Sequence, residues 1–128
     1  MKKFVLALVA VLTAMIGSLG ISAVAEATPT ASFTMSTTSP VVNQLVTFNG
    51  SSSVCDTATC SYTWSWTFRT SGGATLNGGQ MGTGKVISYR FSSFAASKPF
   101  ITVKLKVTNS GSTHNFALAS TSFVVRAA

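Results

Sequence analysis

The sequence is nearly without carboxylates. Asp56 and Glu26 are its only acidic residues, against nine lysines and arginines in 128. A glycosidase needs two carboxyl groups flanking the scissile bond. Only Asp56 lies well inside the chain, so that chemistry is excluded. His114 is the sole histidine and stands in the polar stretch "GSTHN". A serine hydrolase needs such a base held by a third group, and one acid is left for the task. The two cysteines and one histidine cannot complete a four-ligand zinc site. Neither an enzyme nor a cofactor is expected.

Amphipathic helix is also missing: no sustained 3.6-residue stripe follows the first thirty or so residues. What stands there instead is "MKKFVLALVAVLTAMIGSLGISAVAEATPT", in which Lys2 and Lys3 precede an apolar run from Phe4 to about Ile21. Small residues then fit two cleavage frames, Ala23-Val24-Ala25 and Ala25-Glu26-Ala27. These are the parts of a secretory signal peptide, expected over 1–27 with cleavage after about Ala25 or Ala27. An uncleaved anchor is the rival, since spanning begins at about 18 apolar residues. Against it, Gly17, Ser18 and Gly20 loosen the helix and no basic cluster follows. No cysteine near the frames offers a lipid attachment point. The expectation is a free, exported, extracellular product of bacterial type, with no span after cleavage and one domain over 28–128.

The exported part keeps Arg69, Lys85, Arg90, Lys98, Lys104, Lys106 and Arg126 against Asp56. Such a balance favours anionic partners or serves solubility. The charges are scattered and form no block, and nucleic acid is not the expected partner. Cys55 and Cys60 flank "DTAT", with no cysteine left over. In an exported chain this pair reads as a disulfide. A CxxC redox centre needs closer spacing.

Period two dominates the rest. "ASFTM" (31–35), "LVTFN" (45–49), residues 61–69, "VISYRF" (86–91), "ITVKLKVTN" (101–109) and a last strand over about 117–126 all alternate. Short strands punctuated by Gly, Ser, Asn and Pro imply an all-β fold, an antiparallel two-sheet sandwich. "CSYTWSWTFR" (60–69) puts Tyr62, Trp64, Trp66 and Phe68 on one face. They form either a core wall or a platform on which sugars or bases stack. A sandwich of this size needs bulk on its central strand, which favours the core wall. The platform requires one of Tyr62, Trp64, Trp66 and Tyr89 to be exposed.

"SPVVNQLVTFNGSSS", then "YTWSWTF", then a Gly-rich stretch, then "ITVKLKVTN" is similar to the polycystic-kidney-disease (PKD) domain family. The resemblance covers roughly 31–125. It implies an immunoglobulin-like β-sandwich and a non-catalytic extracellular module making protein–protein or protein–carbohydrate contacts, the partner being an unidentified extracellular protein or glycan. Where the family carries Asp-Phe-Gly-Asp-Gly, this chain has Thr67-Phe68-Arg69-Thr70-Ser71, and Ile101 stands where tyrosine is frequent. Calcium takes six to eight oxygen ligands, which Asp56 alone does not approach, so no metal is expected.

Three local patterns remain. "GQMGTGKV" (79–86) nearly spells a phosphate-binding loop, but Val86 replaces the hydroxyl and a strand pattern follows instead of a helix. The reading preferred here is a flexible hairpin loop, with six glycines between Gly72 and Gly84 and the turn signal Asn77-Gly78. Asn49-Gly50-Ser51 matches a glycosylation acceptor, of consequence only in a eukaryotic secretory route. Lys104 and Lys106 point away from the core; with Arg90 and Lys98 they make a candidate basic strip, or they guard a sheet edge against pairing. The edge-guard reading is preferred, and segments 50–60 and 70–85 are the candidate contact loops.

Overall fold

The computed structural model describes residues 28–55, 59–110 and 115–128. The signal-peptide segment, Asp56 and His114 lie outside them. Alternation sorts the side chains as the pattern demands: Ile101, Val103, Leu105 and Val107 are buried, and Lys104 and Lys106 between them are exposed. Among the described residues seven strands result, β1 (Thr34–Met35), β2 (Leu45–Asn49), β3 (Cys60–Arg69), β4 (Thr75–Thr83), β5 (Val86–Arg90), β6 (Ile101–Asn109) and β7 (Phe116–Phe123). One helical turn, α1 (Ser93–Ala96), joins β5 to β6 and buries Ala95.

The strands form a three-stranded sheet in the order β1-β2-β5 and a four-stranded sheet in the order β4-β3-β6-β7. Every strand pair is antiparallel. The chain is an immunoglobulin-like β-sandwich. Outside the strands, Val41 bridges Arg126 in parallel. There the Val42 N–H donates to the Arg126 carbonyl and the Arg126 N–H to the Pro40 carbonyl, each at 2.9 Å. β1 stops after two residues because Ser36 ends the ladder: its hydroxyl oxygen accepts the Thr47 N–H at 2.9 Å.

Between the sheets lies a continuous set of rings. Phe33 meets Trp64 edge-on at 5.2 Å between centroids, and Phe48 touches both Trp64 and Phe91. Phe91 meets Trp66 at 5.9 Å and Phe123 at 5.5 Å, and Trp66 reaches Phe68 at 5.8 Å. Edge-to-face pairs of this kind add about 0.5–1.5 kcal/mol each beyond the area they bury. Both indole N–H groups are satisfied at the margin of the core. Trp64 Nε1 donates to the Gly84 carbonyl at 2.8 Å, and Trp66 Nε1 to the Tyr89 hydroxyl at 3.2 Å.

The glycine-rich segment departs from expectation. Residues 75–83 are strand β4, paired to β3 along its length, not a hairpin loop. The turn lies earlier, where the Thr70 N–H donates to the Ala74 carbonyl at 2.8 Å. Two bulges, at Trp64/Ser65 and Trp66/Thr67, leave Met81 and Gly78 as extra residues on β4. An extra residue shifts the alternation by one, so the strand carries no readable period. The Asn77 side chain, which signals a turn, instead accepts the Gly79 N–H at 3.0 Å inside the bulge. Gly79 has φ +126°, a conformation that glycine adopts without strain.

Candidate functional site

Cys55 and Cys60 are joined by a disulfide, their Cα atoms 6.1 Å apart, at the entrance to β3. Within β3, Trp64 is 0% exposed and Trp66 6%, Phe68 is buried and Tyr62 half-buried. Tyr89 is half-buried too, and its hydroxyl takes the Trp66 proton. None of the four rings required for a sugar platform is exposed, because the alternation that groups them points them inward. That platform is overturned.

The exposed rings are others. Phe94 on α1 is 49% exposed and stands edge-on to Phe68 at 5.2 Å, with Lys98 Nζ 4.3 Å from its centroid. Phe116, at the start of β7, is 38% exposed with Lys106 Nζ 4.5 Å above it. Phe94 lies on a helical turn and Phe116 opens a strand whose apolar residues are mostly small, so neither lies in strong apolar alternation. The Arg69 guanidinium covers the Phe100 ring at 5.0 Å.

The four-stranded sheet presents its outer face as a set of cross-strand rows. One row runs Thr83–Thr63–Lys106–Leu118 and the next Gln80–Ser65–Lys104–Ser120. A third runs Asn77–Thr67–Thr102–Ser122, with the Thr102 and Ser122 hydroxyls 2.7 Å apart. Phe116 opposite Thr108 closes one end, and Arg69 on Phe100 closes the other. At about 3.4 Å per residue the face is roughly 27 Å long, and about 14 Å wide across four strands. It is open, hydroxyl-rich and cationic along its middle, where Lys104 and Lys106 stand exposed.

The four cations expected to form a strip are divided. Lys104 and Lys106 share the outer face just described. Arg90 lies on β5 in the other sheet, where Nη1 donates to the Asn43 carbonyl at 2.6 Å, and Lys98 belongs to the segment after α1. The edge-guard reading fails as well. β6 is paired on both sides, to β3 and to β7, so its lysines have no open edge to protect. Of the proposed contact loops, 70–85 is mostly β4.

A shallow groove of about 330 Å³ opens between the sheets beside β1, lined by Phe33, Thr34, Met35, Thr38 and Thr121. Among the described residues no group of three metal-ligating side chains gathers, and no helix is long and apolar enough to cross a membrane.

No protein-family model and no curated protein matches the sequence. A solved structure does. This chain is 27% identical to it with a TM-score of 0.60, over 81% of this chain and 36% of that one. It belongs to work on the promiscuous specificity of carbohydrate-binding modules from the β-sandwich superfamily. The chain therefore spans about a third of the length of the protein it matches.

Proposed function

We propose that this chain is a non-catalytic glycan-binding module, exported after removal of residues 1–27 and working outside the cell. The similarity to a carbohydrate-binding module, at 27% identity over 81% of the chain, carries the reading. The Cys55–Cys60 disulfide agrees with an oxidising compartment. The PKD-like motifs Val46-Thr47-Phe48 and 101–109 fall on β2 and β6, whose buried side chains belong to the core. With Trp64, Trp66 and Phe68 buried, contact falls to the sheet exteriors and the connecting segments.

Retention of the purified chain on a panel of insoluble and soluble glycans tests this directly. Binding to at least one of them is expected. Retention by none, together with capture of an extracellular protein, replaces the glycan by a protein partner. Export is tested separately by N-terminal sequencing of the protein from culture fluid, which should begin at Glu26 or Thr28.

A further inference from the structure

We infer that the outer face of the four-stranded sheet takes a polyanionic glycan, with Lys104 and Lys106 as its central contacts. The inference rests on the glycan-module reading and names the ligand class and the surface.

The first observation is position. Lys104 and Lys106 stand two residues apart on one face of a strand hydrogen-bonded on both sides. Their Cα atoms are thus separated by about 7 Å. Their cross-strand neighbours are Ser65 and Ser120 for one, Thr63 and Leu118 for the other, all neutral. Like charges this close repel; Lys106 gains a cation–π contact with Phe116, its Nζ 4.5 Å from the ring centroid, while the cross-strand neighbours of Lys104 are neutral. Neither acidic residue of the chain, Glu26 or Asp56, falls among the described residues, so the described surface has no carboxylate side chain to pair with them. Serine or threonine here would suit the sheet equally well. Two exposed cations side by side in the middle of an open face, with no carboxylate side chain among the described residues, suit an incoming anion.

The second observation concerns shape. The face has no enclosure, so a small anion would meet one or two exposed cations, each worth at most about 1 kcal/mol. A polymer running along the strands engages Lys106, Lys104 and Arg69 together, and the contacts add without separate loss of translational freedom. Hydroxyls and the Gln80 amide flank that path and suit sugar hydroxyls. Nucleic-acid binders of this open kind instead carry a series of aromatic rings on which bases stack. Here the rings lie only at the two ends of the face, and each is already covered by a cation.

The test uses the full exported chain unchanged and as two double variants, Lys104→Gln/Lys106→Gln and Lys85→Gln/Arg90→Gln. The second double variant removes the same charge away from the face. Affinity is read on polygalacturonate, which carries only carboxylates, on dextran sulfate, which carries only sulfates, on a neutral glucan, and on single-stranded DNA. The unchanged protein should bind one or both acidic polymers and release them as salt rises through about 0.2–0.5 M, where the screening length shrinks to a few ångströms. Lys104→Gln/Lys106→Gln should weaken that binding roughly tenfold, and the Lys85/Arg90 variant by clearly less. Equal losses in the two variants overturn the assignment to this face. Salt-insensitive binding to neutral glucan, untouched by either variant, overturns the polyanion and leaves the glycan module standing. Retention by no glycan at all sinks both. Tighter binding to DNA than to either acidic polysaccharide overturns the glycan.

Discussion

Gly78 lies against the face of the Trp66 indole, so close that a β-carbon at 78 would overlap ring atoms Cδ2, Cε2 and Cε3. The bulge that makes Gly78 an extra residue on β4 is what brings this backbone over the ring. The glycine therefore acts as the lid of the core at that point.

Gly78→Ala should lower stability by about 1–3 kcal/mol, the usual cost of forcing extra volume into a packed site. Urea unfolding followed by far-ultraviolet circular dichroism reads this, with near-ultraviolet dichroism reporting the indole. An unchanged midpoint would mean that β4 slides off Trp66 freely.

The Trp64 N–H bond to the Gly84 carbonyl pins the turn between β4 and β5 to the core. Trp64→Phe removes that donor and leaves a void in a fully buried site. A loss of about 2–4 kcal/mol is expected, a fall of at least roughly 8 °C in melting temperature at this size. Tyr89→Phe, which leaves the Trp66 N–H without its acceptor, should cost about 1–3 kcal/mol.

Acrylamide should quench the fluorescence of the folded chain weakly, since Trp64 and Trp66 are both buried. Unfolding in guanidinium should restore strong quenching. A folded protein quenched as readily as free indole contradicts the enclosed position of β3.

Reducing the Cys55–Cys60 bond opens a short loop and should destabilise by about 2 kcal/mol on the chain-entropy account. The strands should survive, because β3 keeps its ladders to β4 and β6. Thermal melts with and without a reducing agent measure both the shift and the retained sheet signal.

The sandwich was legible where alternation was undisturbed. Residues 45–49 and 101–109 match β2 and β6 end to end, and the run from 60 to 69 is β3. β4 was illegible for a local reason: two bulges and three glycines erase its period, and Asn77-Gly78 imitates a hairpin turn. The candidate site was half visible. Alternation showed that Lys104 and Lys106 face away from the core, but not which strands flank β6. That single fact of topology turned edge protection into an open cationic surface. Phe116 and Phe94 sit beside segments without periodic pattern, so nothing in the sequence set them apart from core phenylalanines.

The parallel bridge between Val41 and Arg126 bears on how the domain carries force. When the two chain ends are pulled apart, the segments at 40–42 and 126 are drawn in opposite directions along their common axis. Their two hydrogen bonds are then loaded together in shear, whereas an antiparallel end peeled outward would give way one bond at a time. Tension entering from the C-terminal side would meet this seam first, whereas tension entering from the N-terminal side must first open the Thr30–Val54 bridge and the β1–β2 pairing.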